Sequence, residues 1–249
     1  AGPSVRAVSY HEDYCMVPIR VPQDPSMGLN HFYGLGYEEG SFWISSRTED
    51  RIYELSLFGE ITGEIASPYH APCWLAGGEK ELLVRYPDGR FALLETEGEI
   101  IGSFESSIGG GPLALSSHDI WVADGDYPDD ESSRLYRLDL DRSLDSGDAV
   151  IIGEIVVEGV QRVKGLAYED DRLWIIESGD FYGYWAADSL HIYELTSAPI
   201  VTYALPVHRA GALAVDEESI WIMHRGPRLL SGGEYCRSDD PVISRFRLR

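Results

Sequence analysis

Apolar and polar residues along this chain fall into short alternating runs, and no stretch of a dozen residues holds a clear 3.6-residue apolar period. The clearest run is GLAYEDDRLWI at 165–175. Leu166 and Tyr168 alternate with small or polar neighbours, Glu169-Asp170-Asp171 is a polar turn, and Leu173-Trp174-Ile175-Ile176 is a β-prone apolar stretch. The run predicts a β-hairpin whose second strand carries one large buried aromatic.

The same skeleton recurs along almost the whole sequence. Five copies align on Leu35, Leu75, Leu113, Leu166 and Leu213, and eight positions after each stands Trp43, Leu83, Trp121, Trp174 or Trp221, always followed by Ile or Val. A third strand follows as IYEL (52–55), FALL (91–94), LYRL (135–138), IYEL (192–195) and VISRF (242–246). Fourth strands start at Gly59, Gly98, Val150 and Ile200 in the first four copies. Repeats with a period of about 40 to 50 residues read as propellers or solenoids. A four-stranded meander cannot bury both of its faces alone, and radial closure solves that problem. The fifth copy runs out after its third strand, so the strand-like segment YCMVPIRV at 14–21 is expected to complete it and close the ring without an open edge. The expectation is an all-β, five-bladed β-propeller of four-stranded antiparallel blades, as one domain over 1–249. Blades are placed at about 31–66, 70–105, 109–158, 162–206 and 209–249, the last with strand 14–21.

Composition agrees with this reading. A 249-residue chain that is 44% hydrophobic and 11% aromatic, with six Trp and fifteen Tyr, can bury a sizeable core and suits sheets. The net charge of −22 excludes nucleic acid, whose phosphates need Lys and Arg, and disfavours anionic membranes. It keeps the chain soluble by self-repulsion, with recruitment of cations or a basic partner as the sharper reading. No apolar run approaches the roughly 18 residues of a membrane span, so no membrane insertion is expected, and a monomer is. The first residues lack the apolar core of a signal peptide; the Ala1 start favours an extracytoplasmic location if such a peptide has been removed. Cys15, Cys73 and Cys236 are too few for a disulfide scaffold. Ring closure brings Cys15 and Cys236 near each other, leaving open a bridge between them or free buried thiols.

The segment GLGYEEGSFWISSRTEDRIYELSLFGEITGEI at 34–65 resembles a repeat of the propeller superfamily that includes NHL-type, virginiamycin-B-lyase-like and glutamine-cyclotransferase-like proteins. The likeness covers nearly the whole chain and rests on structural positions, so it implies architecture rather than activity. In blade number and length the chain is similar to the plant and bacterial type of glutaminyl cyclase. That family begins its first inner strand FTQGL-like, where this chain has His31-Phe32-Tyr33-Gly34-Leu35. It has an acidic residue where this chain has Pro72-Cys73-Trp74, and an Asn-Glu pair in place of Lys164-Gly165.

Propeller geometry puts the loops entering the inner strands and those joining strands two and three on one face, around the channel mouth, where function collects. His31, His70 and His208 fall at nearly equivalent positions there, and His224 is expected on the same rim. They suit zinc ligation or plain hydrogen bonding. Asp124 and Glu177 occupy acidic positions equivalent to His224, and Glu177 with the four histidines forms the candidate catalytic set. The loop DGDYPDDE carries Asp124, Asp126, Asp129, Asp130 and Glu131, oxygen ligands suited to calcium or a solvated acidic loop. DLDRSLDSGD at 139–148 reads as a turn capped by its own Asp and Ser side chains. Long insertions in the last three blades bring Phe181, Tyr182, Tyr184 and Trp185, which suit stacking on a ligand or packing on loops; Arg225 and Arg228 in the last of them, with Arg209 in the entry loop at 208–211, suit an anion or the surrounding acids. Two functions follow. One is a propeller that binds a small molecule, glycan or peptide at this face, with Tyr33, Arg209, Arg225 and the four aromatics as contacts. The other is a lyase, hydrolase or cyclotransferase using the histidines and carboxylates, with or without a metal. The absence of a nucleophile motif, phosphate loop or tight metal signature favours binding.

Overall fold

The computed structural model describes residues 5–7, 16–18, 32–38, 40–78, 80–125, 132–160, 162–177, 188–195, 199, 201–205, 210–216, 219–224, 228–229, 235–236 and 242–246. Two short strands come first, β1 (Val5–Ala7) and β2 (Met16–Pro18). The first sheet then runs in chain order through β3 (Phe32–Glu38), β4 (Ser41–Ser46), β5 (Arg51–Ser56) and β6 (Ile61–Ala66). The second comprises β7 (Trp74–Gly78), β8 (Glu81–Arg85), β9 (Arg90–Glu95) and β10 (Ile100–Glu105). The third holds β11 (Leu113–Leu115), β12 (Asp119–Ala123) and β13 (Ser132–Asp139), then helix α1 (Leu140–Ser146), then β14 (Ile151–Glu158). β15 (Val163–Glu169), β16 (Arg172–Glu177), β17 (Ser189–Tyr193) and β18 (Val201–Ala204) form the fourth. In the fifth, β19 (Ala210–Asp216) and β20 (Ser219–His224) precede a small hairpin of β21 (Arg228–Leu229) and β22 (Tyr235–Cys236), and β23 (Val242–Phe246) follows. These five sheets are the blades of a five-bladed β-propeller.

The repeated Leu and Trp explain why the blades stack. In every inner hairpin the residue after the anchoring Leu sits across from the Trp-position residue: Gly36 from Trp43, Ala76 from Leu83, Ala114 from Trp121, Ala167 from Trp174 and Ala214 from Trp221. A small residue opposite a large one keeps room for the side chain to reach the neighbouring sheet. Five apolar clusters result, each shared by two adjacent blades. Trp43 packs in the cluster between blades one and two, Leu83 between two and three, and Trp121 between three and four; Trp174 packs between four and five, and Trp221 between five and one. The last of these closes the ring. At the axis the inner strands approach so closely that a Cβ on Gly34 would overlap the backbone nitrogen of Leu75.

Ring closure follows the expected route, since β2 pairs antiparallel with β23 through Met16 with Ser244 and Pro18 with Val242. Strand β1 was not foreseen. It joins the fourth sheet in parallel, Val5 beside Thr202, and covers the edge of β18.

Within the run 139–148, Leu140–Ser146 form a helix where a turn was expected. Asp139 is the N-cap, its side chain accepting the Arg142 N–H at 2.9 Å, and Gly147 ends the helix at φ 78°, its N–H donating to the Ser143 carbonyl. Leu140 and Leu144, four residues apart, form one apolar face, and Leu144 packs over Gly102 of β10. Asp and Ser mark helix ends as well as turns, and the Leu pair decides between them. Asp139→Ala is expected to cost about 1 kcal/mol and to lower the melting temperature by about 2–4 °C, read from thermal melts. Among the described residues, no helix is long and apolar enough to cross a membrane.

Candidate functional site

The strands β3, β7, β11, β15 and β19 each end a sheet, and together they wall the central channel. One mouth, called upper here, lies where the inner strands begin and the second strands end. Trp74 pairs there with Arg85, Val163 with Glu177 and Ala210 with His224. Close approach of the inner strands leaves an upper recess of only about 10 Å3, bounded by Tyr33, Trp74, Pro112 and Lys164. That is room for about one water molecule, so a ligand at this end sits above the waist.

Lys164 is the charged group of the recess. Burial of its ammonium, and then the charge of Arg162, lower its pKa from the ordinary 10.5 to about 8. Among the described residues no carboxylate pairs with it, although the chain has 42 acidic side chains against 20 Lys and Arg. Tyr33 carries the Arg47 guanidinium 5.7 Å from its ring centroid, adding a second cation to the same mouth.

Arg85 supports this mouth from below. It is 1% exposed and donates to the carbonyls of Ile108, Gly109 and Gly111, while its guanidinium lies 5.5 Å from the Trp74 ring and 5.1 Å from the Phe91 ring. The glycine run before the third inner strand is therefore an anchored loop. A Cβ on Gly125 would fall on the Gly110 carbonyl, so that crossing admits no side chain. Ser45 links the first two blades in the same layer, accepting the Gly34 N–H at 3.0 Å and donating to the Cys73 carbonyl at 3.1 Å. Cys73 is a free, buried thiol whose pKa burial raises to about 11. It is not a nucleophile in this state.

The predicted site residues are placed as follows. Tyr33 is at the recess. His70 is exposed and bound through Nδ1 to Asp50 Oδ2 at 2.8 Å, and Asp50 Oδ1 accepts the Ala71 N–H at 2.7 Å. The Ala71 N–H, more than the histidine, holds the Asp50 carboxyl below the usual range. This pair ties the β4–β5 turn to the loop before the second blade and does not line the recess. His224 is buried, with Nε2 2.7 Å from Ser244 Oγ inside the fifth blade. Glu177 meets a residue absent from the expected set: its Oε2 lies 3.1 Å from His191 Nε2, and His191 Nδ1 lies 3.0 Å from Thr202 Oγ1. Asp124 begins its loop with its N–H donating to the Arg134 carbonyl. His31, His208, Arg209, Arg225, Phe181, Tyr182, Tyr184, Trp185, Asp126, Asp129, Asp130, Glu131 and Cys15 lie outside the described residues, as do the side chains of Arg228 and Cys236. Among the described residues no group of three or more His, Cys, Asp or Glu could hold one metal ion.

The opposite, lower mouth holds a much larger space, a cavity of about 610 Å3 between the far ends of the inner strands. Expectation had put the pocket at the upper mouth, where described residues enclose little volume. A Cβ on Gly34 or Gly165 would clash with Leu75 or Leu213 of the next inner strand at this waist, while Tyr37 and Tyr168 line the cavity at the far strand ends.

No protein-family model matches the sequence, and no curated protein matches it. Solved structures do resemble the fold. Glutaminyl cyclase from Myxococcus xanthus matches with a TM-score of 0.64 at 13% identity, over 93% of this chain and 94% of that one. A calcium-binding protein, regucalcin from Agrobacterium tumefaciens, matches with a TM-score of 0.50 at 16% identity, over 86% and 89%. A chain of a nidogen/laminin complex matches with a TM-score of 0.51 at 12% identity, over 78% and 72%. Likeness at these identities is likeness of fold, and it agrees with the sheet order and the closed ring of clusters in making this chain a five-bladed β-propeller.

Proposed function

We propose that this propeller binds a small anionic molecule, carrying a carboxylate or phosphate, above the upper mouth of its channel. One observation carries the reading: a desolvated lysine, Lys164, without a carboxylate partner among the described residues of a strongly acidic chain. Leaving an ammonium so placed costs stability, and a bound anion offsets that cost. Tyr33 and Trp74 give apolar faces beside the charge, and Arg209, Arg225 and the aromatics at 181–185 belong to the same proposal as contacts from the surrounding loops. Glycans and peptides fit the reading through their acidic groups.

The test is calorimetric titration of the whole chain with citrate and with inorganic phosphate. Saturable binding of at least one is expected, weakening as pH rises through about 8, because Lys164 is charged below that value and neutral above it. Lys164→Met is expected to weaken it about tenfold or more, and Lys164→Arg to retain it. Unchanged affinity in Lys164→Met would discard the reading.

A second reading, an enzyme using upper-face histidine and carboxylate, rests on the Glu177–His191–Thr202 contacts. A carboxylate fixing one imidazole nitrogen while the other meets a hydroxyl is the arrangement that activates an oxygen nucleophile. Both contacts lie within the fourth blade, between β16, β17 and β18, and not at the recess, so binding is the better-supported function.

A further inference from the structure

The lower cavity plays no part in the reading above. Its volume of about 610 Å3 lies within the roughly 300–1,000 Å3 of small-molecule pockets. All five inner strands wall it, and as edge strands they present peptide groups to its interior. Glu81, Glu169 and Asp170 line it, whereas among the described residues no Lys, Arg or His does. Tyr37 and Tyr168, their rings stacked on Trp221 and Trp121 in the seams between blades, complete the walls contributed by blades one and four. Carboxylates thus line the lower cavity, whereas the charged group of the upper recess is the Lys164 ammonium.

We propose that the lower cavity binds an organic cation bearing more than one protonated amine. Carboxylates recognise ammonium through charge-assisted hydrogen bonds, and a pocket lined by one sign of charge concentrates ligands of the other. Spacing favours an extended polyamine over a single metal ion, since among the described residues no three acidic or metal-ligating side chains converge on one point. Glu81 and Glu169 belong to different blades, two and four, so they engage separate amines of one molecule.

Titration of the whole chain with spermidine at fixed ionic strength tests the proposal. One saturable site is expected, with affinity reduced about tenfold or more in Glu81→Gln/Glu169→Gln and unaltered in Lys164→Met, which separates this site from the upper one. Ser117→Trp, at an exposed position on the cavity wall, is expected to weaken binding by filling space without changing charge, and it decides the question if the double variant does not fold. Absence of saturable binding, equal affinity in the double variant, or displacement of spermidine by magnesium at matched ionic strength would overturn the proposal.

Discussion

Arg85→Met is expected to lower the melting temperature by roughly 6–20 °C, from a loss of about 3–5 kcal/mol. Replacing a buried ion by an apolar residue of similar volume is often neutral, but that holds when both partners go. Here the partners are the peptide carbonyls of Ile108, Gly109 and Gly111, which stay behind. Each buried acceptor left without a donor costs about 1–3 kcal/mol, and the guanidinium's contacts with Trp74 and Phe91 are lost as well. Methionine fills much of the space and recovers part of the packing, which holds the sum near the lower end of three such losses. Arg85→Lys is expected to fall between wild type and Arg85→Met, since one ammonium cannot reproduce a planar fork reaching three carbonyls. Paired thermal melts and limited proteolysis check the claim: the 108–112 loop should be cleaved faster in Arg85→Met. A melting temperature within 2 °C of wild type would mean that the loop does not depend on this side chain.

The sequence made the fold legible wherever one residue type had one job in every blade. Leu and Trp eight positions apart are visible as text because strand registers repeat, and that register gave the hairpins, the blade count and the closing strand. Strand β1 stayed hidden, as three residues in parallel pairing nearly two hundred positions away carry no local period. Arg85 was legible in principle. Two positions after the Trp-position residue the copies read Ser45, Arg85, Ala123, Ile176 and Met223, all buried. An arginine in that column signals a buried charge needing acceptors, and the glycines at 109–111 supply them. His191 is likewise a polar residue at a buried position of a third strand, pairing with Ile175 as Tyr53 pairs with Ile44 in the first blade. The position of a cavity is another matter, because it depends on how far strand ends diverge, a distance that side-chain identity does not encode.

Lys164→Met is expected to raise the melting temperature at pH 7, and the gain is expected to shrink as pH rises from about 8 to 10.5. The sign follows from proton counting. With a folded pKa of about 8 against 10.5 for an ordinary lysine, the unfolded chain binds more protons between those values, so wild-type stability rises with pH across that window. Below about pH 8 the folded protein carries the full cost of a desolvated ammonium, whereas above 10.5 both states are neutral at this position and the cost is gone. The interval corresponds to about 3 kcal/mol at most, and water at the channel mouth screens part of it, leaving ~1–2 kcal/mol. For a chain of this size that is a rise of roughly 2–8 °C at pH 7, measured by melts of both proteins from pH 6 to 10.5. A variant that melts with wild type at every pH would show that the ammonium reaches solvent. The same melts with added citrate or phosphate connect stability to binding. The anion should stabilise wild type at pH 7 and leave Lys164→Met nearly unmoved, because the charge that makes the empty site costly is the charge that holds the ligand.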